Sequence, residues 1–157
     1  MNQIASDFLW LGHAGEARDF PHLFEAGVQA VVELAAEEVP SQGPRELIHC
    51  RFPLLDGVGN DNDLLLLAIG TVSALLAKRV PTLVCCSSGL SRSPAVAAAA
   101  LAWAYGETPE SALKRVTAHH PSDVSPGLWN EITALLRATR SGDGRSARQG
   151  PSCPARP

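Results

Sequence analysis

Short apolar runs alternate with longer segments of helical character along the sequence. The short runs are rich in β-branched residues and bounded by Pro and Gly, which is typical of strands. We predict four strands, over residues 4–11, 28–34, 47–52 and 80–85. Longer amphipathic or alanine-rich segments separate them and predict helices over residues 14–26, 64–79, 93–105, 109–119 and 126–139. Alternating strands and helices indicate an α/β domain, with a mostly parallel central sheet flanked by helices on both faces.

Residues that favour turns mark the ends of these elements. Gly27 and Gly106 follow predicted helices, and glycine commonly ends the last turn of a helix. Asp63 is placed to cap the second predicted helix. Two segments rich in Pro, Gly or Asn, residues 37–44 and 56–60, predict loops.

The composition is that of one folded domain followed by a polar tail. The chain has 157 residues, of which 45% are hydrophobic and 18% charged, so it can form a core. We predict a domain over residues 1–139 and a disordered tail, rich in Gly, Ser, Pro and Arg, over residues 140–157. No apolar stretch reaches the roughly 20 residues of a bilayer span, and the N-terminus lacks a signal-peptide pattern. We therefore expect a cytoplasmic protein without membrane association.

Charge and cysteine spacing argue against two kinds of partner. The net charge is −3, and four arginines with one acidic residue lie in the predicted tail, so the domain itself is acidic. A duplex-binding surface usually needs a clustered basic face, which argues against nucleic acid. The four cysteines match no common zinc pattern, so we expect free thiols and no metal.

The candidate chemistry lies in one segment between a predicted strand and a predicted helix. Residues 84–94 read Val-Cys-Cys-Ser-Ser-Gly-Leu-Ser-Arg-Ser-Pro. Small residues in such a turn let successive backbone N–H groups point at one centre beside a helix N-terminus, which suits a phosphate dianion. Arg92 can add two hydrogen bonds to phosphate oxygens, and the same positive field stabilises a thiolate at Cys86. One loop thus combines a nucleophile, oxyanion donors and a counter-charge.

The spacing Cys86-x5-Arg92 resembles the signature loop of the cysteine-dependent protein tyrosine phosphatases. The run Ser-Gly-Leu-Ser-Arg-Ser-Pro is most similar to their dual-specificity branch. Residues 8–12 resemble the opening strand of that branch, and residues 125–128 resemble its entry to the last helix. The resemblance covers residues 4–138 and implies the same α/β fold. It also implies a phosphate site formed by Ser87, Ser88, Gly89, Leu90, Ser91 and Arg92.

The resemblance implies a two-step reaction that needs no metal or other cofactor. Cys86 attacks phosphorus while Asp56, on a separate loop, protonates the leaving oxygen; Asp56 then activates the water that hydrolyses the cysteinyl-phosphate. Arg92 and the loop amides stabilise both transition states. Ser93 stabilises the departing thiolate, although helix capping would also explain it. Asp56 also fits an ordinary turn aspartate before glycine, and Asp61 is the second candidate for the acid.

The sequence departs from the pattern of that family at two places. The residue before the nucleophile is usually a histidine that organises the loop; here it is Cys85, which predicts modest activity. Cys50 or Cys85 could capture an oxidised Cys86 in a disulfide, and for Cys50 this requires that its strand neighbour the loop. The other interpretation is that both are buried apolar thiols. Ser125 stands where the family often has asparagine, and we assign it no catalytic role.

The adjacent histidines 119 and 120 lie at the end of a predicted helix, and we expect both to be exposed to solvent.

Several functions remain open on these grounds. The leading hypothesis is a monomeric phosphatase of phosphotyrosine and of phosphoserine or phosphothreonine in proteins or peptides, with a loop that also binds phosphate or vanadate. The chain shows no extra loop to build a deep tyrosine-selective slot. A phosphatase of a non-protein phosphate is less favoured, because residues 87–91 carry no lysine. A catalytically silent phosphoprotein-binding relative and a rhodanese-type sulfur carrier are the alternatives from other classes.

Overall fold

Within residues 1–4 and 8–142, which the computed structural model describes, five strands form one mixed sheet in the order β1–β2–β5–β3–β4. β1 is antiparallel to β2, whereas β2, β5, β3 and β4 are mutually parallel. The predicted mostly parallel sheet is confirmed. The strands are β1 (Asn2–Ile4), β2 (Leu9–His13), β3 (Ala30–Ala35), β4 (Ile48–Leu54) and β5 (Thr82–Cys86).

The same part of the chain contains five α-helices and a short 3₁₀ turn over Glu16–Arg18. None of these helices is long and apolar enough to cross a bilayer. Gly106 ends α3 with φ 70, a left-handed conformation that glycine adopts without strain. The helices are α1 (Phe20–Glu25), α2 (Asn62–Ala77), α3 (Arg92–Tyr105), α4 (Pro109–His119) and α5 (Pro126–Gly142).

The helices cover both faces of the sheet, as predicted. The larger apolar cluster joins one face to α2, α3, α4 and α5, and the smaller cluster packs α1 and the 3₁₀ turn against the other face. Because side chains alternate along a strand, neighbouring residues of β5 belong to different layers. Val84 and Cys86 lie in the larger cluster, whereas Leu83 and Cys85 lie in the smaller one.

The parallel arrangement brings the carboxyl ends of four strands to one edge of the sheet. His13 of β2 pairs with Cys86 of β5, and Glu33 of β3 pairs with Cys85. The loops that follow β3, β4 and β5 therefore begin side by side. In open α/β sheets this is the edge at which ligands bind, so the fold places the three loops of interest where a site can form.

The structure corrects several predicted boundaries. The predicted first strand is in fact two strands, and Phe8 adopts a left-handed backbone with φ 53 before β2 begins. The predicted helix over residues 14–26 is interrupted at Asp19, whose carboxylate accepts a hydrogen bond from the His22 N–H and starts α1. α5 continues to Gly142, into the segment predicted as tail. The rest of that predicted tail lies outside the described residues.

The prediction that Asp63 caps α2 is wrong. Asp61 is the N-cap: its backbone is extended, and its Oδ1 accepts a hydrogen bond from the Leu64 N–H at 2.9 Å. Asp63 lies within the first turn. A carboxylate at the N-cap satisfies one of the unpaired N–H groups, whereas one within the first turn interacts only with the helix dipole.

We expect Asp61→Ala to lower the free energy of unfolding by about 1 kcal/mol, because it removes the capping hydrogen bond. Asp61→Asn should lose less than about 0.5 kcal/mol, because asparagine caps equally well. Urea unfolding of the two variants and the wild type measures this difference. A variant Asp61→Ala as stable as the wild type would contradict the assignment of the cap.

Candidate active site

The loop between β5 and α3, residues 87–91, depends on a glycine with a positive φ. Gly89 has φ 80, and a Cβ atom there would lie 2.9 Å from the backbone carbon and oxygen of Gly12. Both the backbone conformation and the contact with β2 therefore exclude an L-residue. The loop thus packs backbone against backbone on the end of β2.

Three carbonyl groups of this loop accept hydrogen bonds from other segments of the chain. Within the described residues, no oxygen accepts a hydrogen bond from the N–H groups of residues 88–91. Consecutive N–H groups of this kind beside a helix N-terminus form an anion-binding nest. The Ser87 carbonyl accepts from the Ala14 N–H (3.4 Å), the Gly89 carbonyl from the Ser93 hydroxyl (3.0 Å) and the Leu90 carbonyl from the Asp123 N–H (2.7 Å).

Cys86 lies at the base of this loop, as the last residue of β5. Its side chain is 2% exposed, and its Sγ lies 3.4 Å from the Oγ of Ser93 in the first turn of α3. Ser91, not Ser93, is the N-cap residue of α3, and the Ser93 hydroxyl donates back to the Gly89 carbonyl. The structure therefore places Ser93 against the sulfur and against the loop rather than at a free helix N–H.

Arg92 is almost fully buried, and both Nη atoms of its guanidinium are hydrogen-bonded whereas Nε is not. Nη1 donates to the Leu54 carbonyl at 3.0 Å and to Glu37 Oε2 at 2.6 Å; Nη2 donates to Glu37 Oε1 at 2.5 Å and to the Ser87 hydroxyl at 3.1 Å. The buried Nε has no partner among the described residues. Burial lowers the pKa of Arg92, but the Glu37 hydrogen bond and the charge of Cys86 raise it by more. The guanidinium therefore remains charged, with one N–H left for an anion.

Glu37 is a residue of the site that the sequence analysis missed. It follows β3 and holds Arg92 through both carboxylate oxygens, while its Oε1 also accepts from the Ser87 hydroxyl. The Arg92 hydrogen bonds lower the pKa of Glu37 to about 2, with a smaller contribution from Ser87. Its position directly after a parallel strand was the signal available in the sequence. Glu37 thus holds both Arg92 and Ser87, the first serine of the loop, through hydrogen bonds.

Asp56 reaches the loop from the segment that follows β4. Its Oδ1 accepts a hydrogen bond from the Ser91 hydroxyl at 2.5 Å. The same hydroxyl oxygen accepts a hydrogen bond from the Ser125 N–H at 3.0 Å, so Ser91 links the aspartate loop to the entry of α5. Asp61 is not brought to the loop; its carboxylate caps α2.

The segment that carries Asp56 is held in place at both ends. Asn60 accepts a hydrogen bond from the Leu55 N–H and donates to the Leu55 and Gly57 carbonyls. Glu131 of α5 accepts from the N–H groups of Gly59 and Asn60. The aspartate is therefore presented by an internally bonded turn that is anchored to the last helix.

The structure separates Cys50 and Cys85 from the Cys86 thiol. β3 lies between β4 and β5, so Cys50 is two strands away from Cys86. Strands are about 4.8 Å apart, and this gap of roughly 9.6 Å exceeds the Cα separation of a disulfide. The condition for a Cys50–Cys86 disulfide is therefore not met. Cys85 points to the opposite layer, where its thiol approaches the Val32 carbonyl at 3.7 Å and burial raises its pKa.

The histidine pair behaves differently from the prediction. His119 is exposed on the last turn of α4, but His120 is 7% exposed, and its Nε2 donates to the Gly89 carbonyl at 2.8 Å. The prediction of solvent exposure is wrong for His120, and no local sequence signal would have corrected it. Among the described residues there is no group of three or more His, Cys, Asp or Glu side chains able to hold a metal ion.

No protein-family model matches the sequence, and no curated protein matches it. Solved structures do match. Human DUSP28 is 24% identical with a TM-score of 0.79, and the alignment covers 90% of this chain and 99% of that chain. A mouse putative dual specificity phosphatase complexed with zinc tungstate is 23% identical with a TM-score of 0.78, covering 90% of this chain and 89% of that chain.

A third match has the same fold at lower identity. Human tyrosine phosphatase-like serine/threonine/tyrosine-interacting protein is 18% identical with a TM-score of 0.76, and the alignment covers 89% of this chain and 97% of that chain. These similarities confirm the resemblance at the level of the fold. The chain has the fold of the cysteine-dependent protein tyrosine phosphatases, in the form found in their dual-specificity branch.

We expect Glu37→Gln to lower the urea midpoint of unfolding at pH 7, because it removes the carboxylate paired with Arg92. The pKa of Glu37 is depressed from 4.5 to about 2 in the folded chain, so this stabilisation is complete above about pH 4.5 and lost as the pH falls through about 2. The difference between the variant and the wild type should therefore shrink progressively below pH 4.5.

Urea unfolding at several pH values between 7 and 3 measures this difference. The matched control is Glu46→Gln, an exposed glutamate on the loop before β4, whose variant should follow the wild type throughout. A difference between Glu37→Gln and the wild type that stays constant with pH would contradict the ion pair with Arg92.

Proposed function

We propose that this chain is a metal-independent phosphoric monoester hydrolase that works through a cysteinyl-phosphate. The observation that carries the proposal is the loop of residues 87–91 above Cys86. The Ser87, Gly89 and Leu90 carbonyls accept hydrogen bonds from other segments, the N–H groups of residues 88–91 are bonded to no oxygen of the described residues, and the buried Nε of Arg92 has no partner among them. Buried polar groups normally have partners, so this cluster of donors suits a bound oxyanion.

In the first step the Cys86 thiolate attacks phosphorus and the bond to the leaving oxygen breaks. Asp56 gives its proton to that oxygen, and its hydrogen bond from Ser91 supports this role because it holds the carboxyl group at the rim of the loop. Arg92 and the loop N–H groups stabilise the charge on the equatorial oxygens. The contacts of Glu37 on the other edge of the guanidinium fix its orientation.

In the second step a water molecule hydrolyses the cysteinyl-phosphate. The Asp56 carboxylate takes a proton from the water, the oxygen bonds to phosphorus, and the S–P bond breaks with its electron pair on sulfur. Ser93 lies 3.4 Å from that sulfur and donates its hydroxyl hydrogen to the thiolate as it forms. Inorganic phosphate then leaves the loop.

The electrostatics of the site favour a phosphorylated protein over a multiply phosphorylated lipid headgroup. Glu37 and Asp56 both contact the loop, and residues 87–91 carry no lysine or arginine. Additional phosphates beside the scissile one would face carboxylates, which is repulsive. A single phosphate on a neutral or basic peptide meets no such repulsion.

The composition of the surrounding loops favours phosphoserine and phosphothreonine as well as phosphotyrosine. The loops that carry Glu37 and Asp56 contain no aromatic residue that could stack on a tyrosine ring. Their exposed apolar residues are aliphatic, with Val39, Leu55 and Val58 at least half exposed and Leu90 on the phosphate loop at 40%. An aliphatic rim contacts a peptide without selecting for an aromatic phosphate ester.

The alternatives from other classes have less support. A silent phosphoprotein-binding relative would be expected to lack part of the machinery, whereas Cys86, Ser93, Arg92 and Asp56 are all present around one loop. A rhodanese-type sulfur carrier has no use for a proton donor such as Asp56 beside the loop.

We expect the wild type to hydrolyse p-nitrophenyl phosphate and phosphopeptides without added metal, and Cys86→Ser to lose at least about 10³-fold in kcat because the nucleophile is removed. Cys50→Ser is the matched control and should keep full activity. Phosphopeptides should be hydrolysed at least about tenfold faster in kcat/KM than a phosphoinositide. Phosphate release measured with malachite green decides between these substrates, and equal activity of Cys86→Ser and the wild type would refute the mechanism.

Asp56→Asn should lower kcat on a phosphotyrosine peptide by roughly 10²–10⁴, because the leaving oxygen then departs without a proton. Asp61→Asn serves as the control for a nearby aspartate, since asparagine preserves the cap of α2, and it should keep wild-type turnover. Steady-state kinetics at constant pH measures both. Unchanged turnover in Asp56→Asn would place the general acid elsewhere.

A further inference from the structure

His120 lies outside the phosphate loop but is bonded directly to it. It is the C-cap residue of α4 and is buried, and its Nε2 lies 2.8 Å from the Gly89 carbonyl oxygen. A carbonyl oxygen can only accept, so Nε2 carries the hydrogen in this contact. The other ring nitrogen, Nδ1, is buried without a partner among the described residues. An unpaired buried nitrogen is unfavourable, so the Nε2–H is the atom through which this ring is stabilised in the fold.

The Gly89 carbonyl has a second donor that is also required elsewhere. The Ser93 hydroxyl donates to it at 3.0 Å and lies 3.4 Å from the Cys86 Sγ. A hydroxyl has one hydrogen, so it cannot donate to both acceptors at once. When the hydrogen turns to the sulfur, His120 is the donor that remains on the carbonyl.

We propose that His120 is a positioning residue that frees the Ser93 hydroxyl hydrogen for Cys86. This inference rests on the proposed function. Before reaction, Ser93 and His120 share the Gly89 carbonyl. When water displaces sulfur from phosphorus, the S–P electron pair becomes the Cys86 thiolate and the Ser93 hydrogen turns to it. His120 keeps the carbonyl bonded, so the loop retains its shape through this step.

Cys85 does not fulfil this role, although it directly precedes the nucleophile. The pleat of β5 turns its thiol to the opposite layer, toward the Val32 carbonyl. The order of the loop therefore depends on donors from distant segments, among which His120 contacts the same oxygen as Ser93.

The test compares His120→Leu, which cannot donate, with His120→Gln, whose amide can replace the Nε2–H. Because p-nitrophenolate departs easily, we expect hydrolysis of the cysteinyl-phosphate to limit turnover of p-nitrophenyl phosphate. We expect His120→Leu to lower kcat about tenfold with KM unchanged or lower, the loss expected for one neutral hydrogen bond. The fraction of His120→Leu trapped as cysteinyl-phosphate by rapid quenching should be higher than in the wild type. His120→Gln should recover to within about threefold of the wild type, and His119→Leu, the exposed neighbour, should match the wild type.

A double-mutant cycle with Ser93→Ala separates this role from a general effect on folding. In the Ser93→Ala background, His120→Leu should change kcat less than about twofold, because no hydroxyl hydrogen remains to be freed. A full tenfold loss in that background would overturn the proposal, as would wild-type phosphoenzyme levels in His120→Leu. Thermal unfolding of each variant shows that the comparison is made between folded proteins.

The tautomer of His120 provides a readout that does not require activity. Long-range ¹H–¹⁵N correlation spectra of the full chain at pH 8 should show the Nε2–H form, and a neutral Nδ1–H form would overturn the inference. Wild-type turnover with an unaffected His120→Leu would refute this inference and leave the proposed function standing. Absence of both turnover and trapped phosphoenzyme in the wild type would instead refute the proposed function and, with it, this role.

Discussion

The arrangement of the site depends on pairing the buried guanidinium of Arg92. A charge removed from water must be hydrogen-bonded. Here the Nη atoms of Arg92 donate hydrogen bonds to the Glu37 carboxylate and to the Leu54 carbonyl. These partners follow β3 and end β4, whereas Arg92 itself begins the helix after β5. The three chain segments therefore cannot separate without leaving a buried charge unpaired. Because Glu37 and Leu54 bind the Nη atoms, the buried Nε is left without a partner among the described residues.

The pleat of β5 assigns different surroundings to its two adjacent cysteines. Cys86 faces the helices and reaches Ser93, while Cys85 lies among the side chains under α1. A residue at position 85 thus contributes packing rather than loop chemistry. The loop takes its order from Gly12, whose backbone Gly89 contacts, and from donors after α4. The loop is therefore organised by segments distant in sequence rather than by the residue that precedes Cys86.

The sequence analysis anticipated the features that depend on neighbouring residues. The strand–loop–helix around Cys86, the start of α4 and α5 at their prolines, and the end of α3 at Gly106 all follow from local pattern. It was wrong about the first strand and about the cap of α2, because several aspartates near a helix start are equivalent until the backbone dihedral angles are known. It was also wrong about His120, whose burial depends on how α4 packs against the rest of the chain.

The sequence by itself determined which groups can perform chemistry: a thiol and a guanidinium six residues apart across a glycine-containing turn. Such spacing is a property of the backbone over a single turn, and it needs no other part of the chain. Only the tertiary structure decided which carboxylates and which imidazole lie against the loop between this thiol and this guanidinium. Glu37 lies 55 residues from Arg92, and His120 lies 31 residues from Gly89. The parallel register of the sheet and the packing of α4 on α3 bring these groups together, and neither can be read from local sequence.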